Sequence, residues 1–137
     1  MIMNNDIFQK VFDILQPVLP AEWKKLVLYV GYTSGSYSMK YYTCDDKGNY
    51  IDCFSQQGIS KAQLIKIFMG IDKELSAERK LLEGKNRWNV MTMLVDCEGK
   101  MKTEYDYSDI SENAIAYEQK WKEKYINKNI FKKNDGK

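Results

Sequence analysis

Apolar residues near the amino terminus fall at helical spacing: Ile7, Phe8, Val11, Phe12 and Leu15 share one side of a 3.6-residue repeat. Asn4 and Asn5 are cap candidates ahead of them, and Pro17 and Pro20 close the segment, so an amphipathic first helix is expected. From Lys25 to Thr33 the pattern changes. Leu26, Val27, Leu28, Tyr29 and Val30 are apolar on both alternating sets, the mark of an interior strand, and Ser34 and Gly35 turn it.

Residues 36–44, with Tyr37, Tyr41 and Tyr42, read as a second strand, and Tyr50 to Phe54 as a third. Asp45-Asp46-Lys47-Gly48 joins them, and Asp96-Cys97-Glu98-Gly99 repeats the device between residues 87–95 and 101–107. An Asp opening the turn and a Gly at its fourth position suit a type I turn closed by a glycine bulge, because glycine reaches positive φ cheaply. That geometry sets Asp45 opposite Asn49, Cys44 opposite Tyr50, Cys53 opposite Tyr41 and Asp96 opposite Lys100.

Between the hairpins, Ser60 and Gln63 form a capping box. Leu64, Phe68, Ile71, Leu75 and Leu82 then carry a long helix to a left-handed cap at Gly84. A third helix is expected from Asp109 or Ser111, carrying Ile115, Trp121 and Tyr125, with Tyr117 near the same face. The order α-βββ-α-ββ-α has no βαβ alternation and no repeat. It predicts an α+β fold, an antiparallel sheet of about five strands with helices packed on it. Residues 1–126 are expected to form one domain, and 127–137 a basic, flexible tail.

Charge refines this picture only locally. The chain of 137 residues is 44% hydrophobic and 29% charged with net charge +2, values of an ordinary folded protein. Residues 1–117 hold 14 basic and 16 acidic side chains, net −2, and residues 118–137 hold 7 basic and 3 acidic, net +4. Nothing in the sequence has the apolar length of a transmembrane helix or the form of a signal peptide, which predicts a cytoplasmic protein without a membrane partner. Cys44, Cys53 and Cys97 lack CxxC spacing and read as free thiols packed like small apolar residues.

The chain contains no histidine, so the commonest general base and metal ligand is missing. No phosphate loop, nucleotide-binding glycine fingerprint or nucleophile elbow is present either. These features point away from an enzyme, and neither a metal nor a cofactor is expected. Asp106, Asp109 and Glu112 do not reproduce an EF-hand loop.

What stands out is the acidic stretch Asp96 to Glu112, where Asp96, Glu98, Glu104, Asp106, Asp109 and Glu112 face only Lys100 and Lys102. On the strand from residue 101, Lys102, Glu104 and Asp106 point to one side and Met101, Thr103, Tyr105 and Tyr107 to the other. As a structural feature this is the solvated side of an outer strand, with Asp109 or Ser111 capping the next helix. As a functional one it is a docking surface for a basic protein groove, helped by Tyr37 and Tyr42 as the more exposed tyrosines. The lysines of the last helix and tail offer a second reading, a small nucleic-acid-binding or regulatory module, although lysines interleaved with glutamate commonly form a solvated face.

Several of these residues, in order, resemble the YezG family of immunity proteins. They are Pro20-Ala21-Glu22-Trp23 leading into Leu28-Tyr29-Val30, then Trp88-Asn89, Thr92, the turn from Asp96 to Gly99, Tyr105-Asp106-Tyr107-Ser108-Asp109, and finally Tyr117, Trp121 and Tyr125. The resemblance spans roughly residues 5–126. It implies a cytoplasmic antitoxin, not an enzyme, paired with a secreted toxin of the LXG or type VII secretion kind whose carboxy-terminal domain is often a nuclease. The same resemblance implies no rule for which residues touch the toxin.

Overall fold

The computed structural model describes residues 6–127. Its elements are α1 (Asp6–Leu15), β1 (Lys25–Tyr32), β2 (Tyr37–Cys44), β3 (Tyr50–Asp52), α2 (Lys61–Arg79), β4 (Val90–Asp96), β5 (Met101–Asp106) and α3 (Ala114–Lys122), the last running on into a π-helical turn at Glu123–Asn127. The strands make one sheet in the order β3-β2-β1-β4-β5. Every pairing in it is antiparallel, and the α+β order is the expected one. The cap candidates Asn4 and Asn5 and the tail from residue 128 lie outside the described residues.

β1 is apolar on both alternating sets because it is central and covered on both sides. Leu26, Leu28 and Val30 pack with Met91, Met93 and Val95 of β4 against Ile7, Val11 and Leu15 of α1 and Leu64, Phe68, Ile71 and Leu75 of α2. Val27 and Tyr29 face the other way and pack with Tyr42, Val90 and Trp121 of α3. One sheet therefore separates two cores, and α3 covers the second together with Ile110 of the preceding loop and Ile126 of the turn that follows it.

The hairpin expectations hold in detail. Gly48 and Gly99 have φ of 84° and 90°, and Cys44 pairs with Tyr50. The Oδ1 of Asp45 accepts from the amides of Lys47 and Asn49, and that of Asp96 from those of Glu98 and Lys100. Only the far end of the first hairpin differs. The ladder stops at Tyr42 and Asp52, where the Asp52 carboxylate caps a short 3-10 turn at Cys53–Ser55. All three thiols are free, with Cys44 and Cys53 buried; Cys97 is exposed in its turn and does not pack as expected.

The capping box at Ser60 and Gln63 is present in both directions. α2 nevertheless ends at Arg79, short of Gly84, although Gly84 does adopt positive φ in a separate 3-10 turn. Arg79 explains the early stop. Its Nε donates to the Trp88 carbonyl and its Nη2 to Asn89 Oδ1, both at 2.7 Å, while its guanidinium lies over the rings of Tyr32 and Trp88. Asn89 in turn donates to the carbonyls of Tyr107 and Ser108. Leu82 sustains the apolar periodicity past the helix because it is buried from the connecting segment.

Candidate interaction surface

The site begins with two spacings, four along a helix and two along a strand. Residues four apart on a helix share a face, as do residues two apart on a strand. Tyr117, Trp121 and Tyr125 thus form one stripe, and Glu104 and Asp106 one side of β5. The structure lays the stripe along that side. The Tyr117 hydroxyl donates to Asp106 Oδ2 at 2.6 Å, the Tyr125 hydroxyl donates to Glu104 Oε1, and between them Trp121 Nε1 donates to Thr92 Oγ1 at 2.8 Å. The Trp121 ring meets Tyr29 edge-on at 4.9 Å and lies 5.2 Å from Tyr125.

Glu104 and Asp106 are therefore not the solvated side of an outer strand. β5 is the edge strand, but α3 half-buries its charged face, and the carboxylates latch the helix down. Lys102 Nζ adds an ion pair to Glu104 at 3.2 Å. A groove of about 520 Å³ remains beside the latch, with Glu104, Asp106, Lys120 and Lys124 among its walls. Its cations offset its carboxylates, so it does not present a net acidic face.

The tyrosine bonds hold both carboxyls below the usual range: Tyr125 acts first on Glu104, and Tyr117 first on Asp106. Conversely, burial and then the bond to Glu104 push the Tyr125 hydroxyl up to about 12, and Tyr117 is raised by burial and then by Asp106. A depressed carboxyl contributes stability that is complete above its unfolded value of about 4 and is lost as pH falls through the folded one. The raised tyrosines contribute stability that is complete below about 10 and is lost as pH rises through their folded values. The melting temperature should be level between roughly pH 5 and 9 and fall on both sides. Replacing Tyr117 and Tyr125 together by phenylalanine should make both limbs shallower. Limbs unchanged in that double variant would show that the latch carries no proton linkage.

The remaining predicted residues separate. Asp96 and Glu98 sit in the β4–β5 turn, about 20 Å or more along β5 from Asp106 at ~3.3 Å per residue, and Asp96 is occupied with its own turn. Asp109 accepts from the Ser111 amide, which lowers its carboxyl, and helix α3 starts only at Ala114. Asp109 and Glu112 are exposed on that connecting loop. Tyr37 is exposed, whereas Tyr42 is 2% exposed and belongs to the core beneath Trp121, which removes it from any docking surface. Ile115, expected on the packed side of α3, is 80% exposed.

Those corrections leave one end of the sheet as the place where exposed apolar and acidic residues meet. Tyr37 opens β2, Tyr107 follows β5, and Ile115 stands at the start of α3. Asn89 ties the ends of β1 and β5 together there, accepting from the Tyr32 amide and donating to the Tyr107 carbonyl. The flanking sequence is one-sided in charge. Residues 103–119 contain Glu104, Asp106, Asp109, Glu112 and Glu118 and no lysine or arginine, and residues 26–39 contain no charged side chain. Sequence reasoning missed Ile115 as an exposed residue and Tyr117 and Tyr125 as latches, although the spacing-of-four stripe was a usable signal.

Among the described residues no group of three or more His, Cys, Asp or Glu side chains could hold a metal ion, and no helix is long and apolar enough to cross a membrane. The chain belongs to the YezG-like immunity protein family, whose model matches residues 4–135. It is similar to Immunity protein YezG of Bacillus subtilis (strain 168), with 25% identity over 122 residues, 83% of this chain and 80% of that protein. The residues that carried the resemblance are mostly scaffold: Trp88 is core, Asn89 ties strand ends, Thr92 anchors Trp121, and Asp96 and Gly99 build a turn.

Proposed function

We propose that this protein acts in the cytoplasm as an antitoxin, without turnover, by covering the toxic domain of a secreted toxin of the LXG or type VII secretion kind, a nuclease. Family membership supports the immunity role. The single observation behind a nuclease partner is the sheet end, where a run of five carboxylates without a base, residues 103–119, flanks exposed Tyr37, Tyr107 and Ile115. A nuclease groove that binds polyanionic substrate is basic, so an acidic rim steers encounter and suppresses wrong partners. Asp109 and Glu112 act by contact at the rim. Glu104 and Asp106, offset by Lys102, Lys120 and Lys124, hold α3 in place rather than steer, and Asp96 and Glu98 stand at the far end of β5.

Reversing Asp109 and Glu112 together to lysine tests this against the carboxy-terminal domain of an LXG-type toxin from the same genome. Association should slow about tenfold or more at low salt, with the difference shrinking as salt rises through the screening range. Both residues are exposed, so the melting temperature should stay close to that of the unaltered protein. An unchanged association rate at low salt would remove the acidic rim from the account.

A further inference from the structure

A small notch opens at the same sheet end, between the β1–β2 turn and the start of α3. It measures about 180 Å³, and its lining includes Gly31, Thr33, Ser36, Tyr37, Ile115 and Glu118. That is below the ~300 Å³ at which small-molecule pockets begin, and is on the scale of one side chain. At its floor, Gly31 leaves room for two neighbouring side chains to close over the backbone. A Cβ at Gly31 would lie 2.8 Å from the Tyr29 hydroxyl and 3.3 Å from Ile110 Cδ1. The β1–β2 turn is held in shape by the Thr33 amide on the Ser36 carbonyl and by the Thr33 and Ser36 hydroxyls, 2.9 Å apart.

The lining is of two kinds. Ile115 is apolar and exposed, and Thr33, Ser36, Ser38 and Glu118 bring polar groups to the same notch. The Tyr37 ring lies on the other face of the sheet, beside Tyr32. Glu118 makes only long contacts, 3.4 Å from Ser38 Oγ and 3.7 Å from Lys40 Nζ. An ionised carboxylate has about four acceptor positions, so it retains capacity for further donors.

We propose, building on the antitoxin reading above, that this notch receives one arginine side chain of the toxin domain. An arginine carries an apolar stem that suits Ile115, and a planar fork of five donors that suits a carboxylate and neighbouring hydroxyls. The absence of any basic residue from 26–39 and from 103–119 makes the surroundings favour a cation over an anion. Lys40, the one cation recorded at Glu118, is shared with Asp52 at 3.5 Å. An arginine seated in a pocket among aromatic residues is a common form of dominant contact at protein interfaces.

The test uses the full chain and the carboxy-terminal domain of an LXG-type toxin from the same genome, with dissociation followed in real time. Glu118→Gln removes the charge and keeps the shape, Ile115→Ala removes the apolar wall, and Ile51→Lys serves as a control on an exposed residue at the opposite end of the sheet. The first two should each speed dissociation ~30-fold or more, the size of a dominant interface contact, with melting temperatures unchanged and the control indistinguishable from the unaltered protein. Changing single arginines of the toxin domain to alanine should identify one whose loss is not additive with Glu118→Gln. If the unaltered protein binds and both notch variants dissociate at its rate, the arginine seat is overturned while the antitoxin reading stands. If the unaltered protein does not bind that domain at all, both are overturned.

Discussion

Replacing Trp121 with alanine should lower the unfolding free energy by about 3–5 kcal/mol, the range for deleting a large buried aromatic side chain. The reason lies in how α3 is held. The first core packs the sheet against two helices, α1 and α2, whereas the second is capped by α3, its π-helical extension and Ile110 of the preceding loop, with Trp121 and Ile126 as the buried residues of the helical part. Removing the indole empties the space against Tyr29, Tyr42 and Tyr125 and strips Thr92 of its donor. It also withdraws the centre of a stripe whose flanks, Tyr117 and Tyr125, are only half-buried.

Thermal unfolding should shift down by roughly 10 °C or more. Trp121→Phe should retain most of the stability, since it loses one hydrogen bond and less volume. Denaturant titration with a common slope across the three proteins gives the comparison. A cost below about 1 kcal/mol for the alanine variant, the scale of a surface change, would mean that α3 is not a structural part of the second core.

Much of the fold was legible because its elements satisfy local and global demands together. β1 reads as an interior strand since both of its faces are apolar, and both are covered. The two D-x-x-G turns read correctly because their chemistry is local: an aspartate accepting from amides two and four residues on, and a glycine at positive φ. The Ser60 and Gln63 box is likewise contained within four residues.

The largest misreadings involve contacts made at a distance in sequence. Gly84 looked like the end of α2 because Leu82 continued the apolar period, and the interaction that ends the helix, Arg79 on Trp88 and Asn89, cannot be seen from local pattern. Tyr42 looked exposed beside polar neighbours, yet α3 arrives from about eighty residues later to bury it. The charged face of β5 looked solvated for the same reason. Alternation assigned Glu104 and Asp106 to one side correctly, and what lies over that side depends on where α3 returns.

The site was less legible than the fold. A strand with three charged residues on one side suggests a contact surface, but two of the three carry internal latches. The end of the sheet emerges only once β1, β2, β5 and the start of α3 converge, since its apolar residues, Tyr37, Tyr107 and Ile115, are spread across the chain. Charge asymmetry was the durable signal. It located the acidic segment, although the exposed part of it proved to be Asp109 and Glu112 rather than the strand.

Binding without turnover makes the largest functional prediction. A protein that neutralises by occlusion is consumed as it acts, so inhibition counts molecules. On the proposed reading, with the toxin domain held well above its dissociation constant, its nuclease activity should fall in a straight line as this protein is added and reach zero at one equivalent, unchanged by longer preincubation. Tight complexes of standard size, burying on the order of 1,600 Å², give such titrations. Inhibition that deepens with time at far less than one equivalent, or activity that survives a large excess, would contradict the account at its centre.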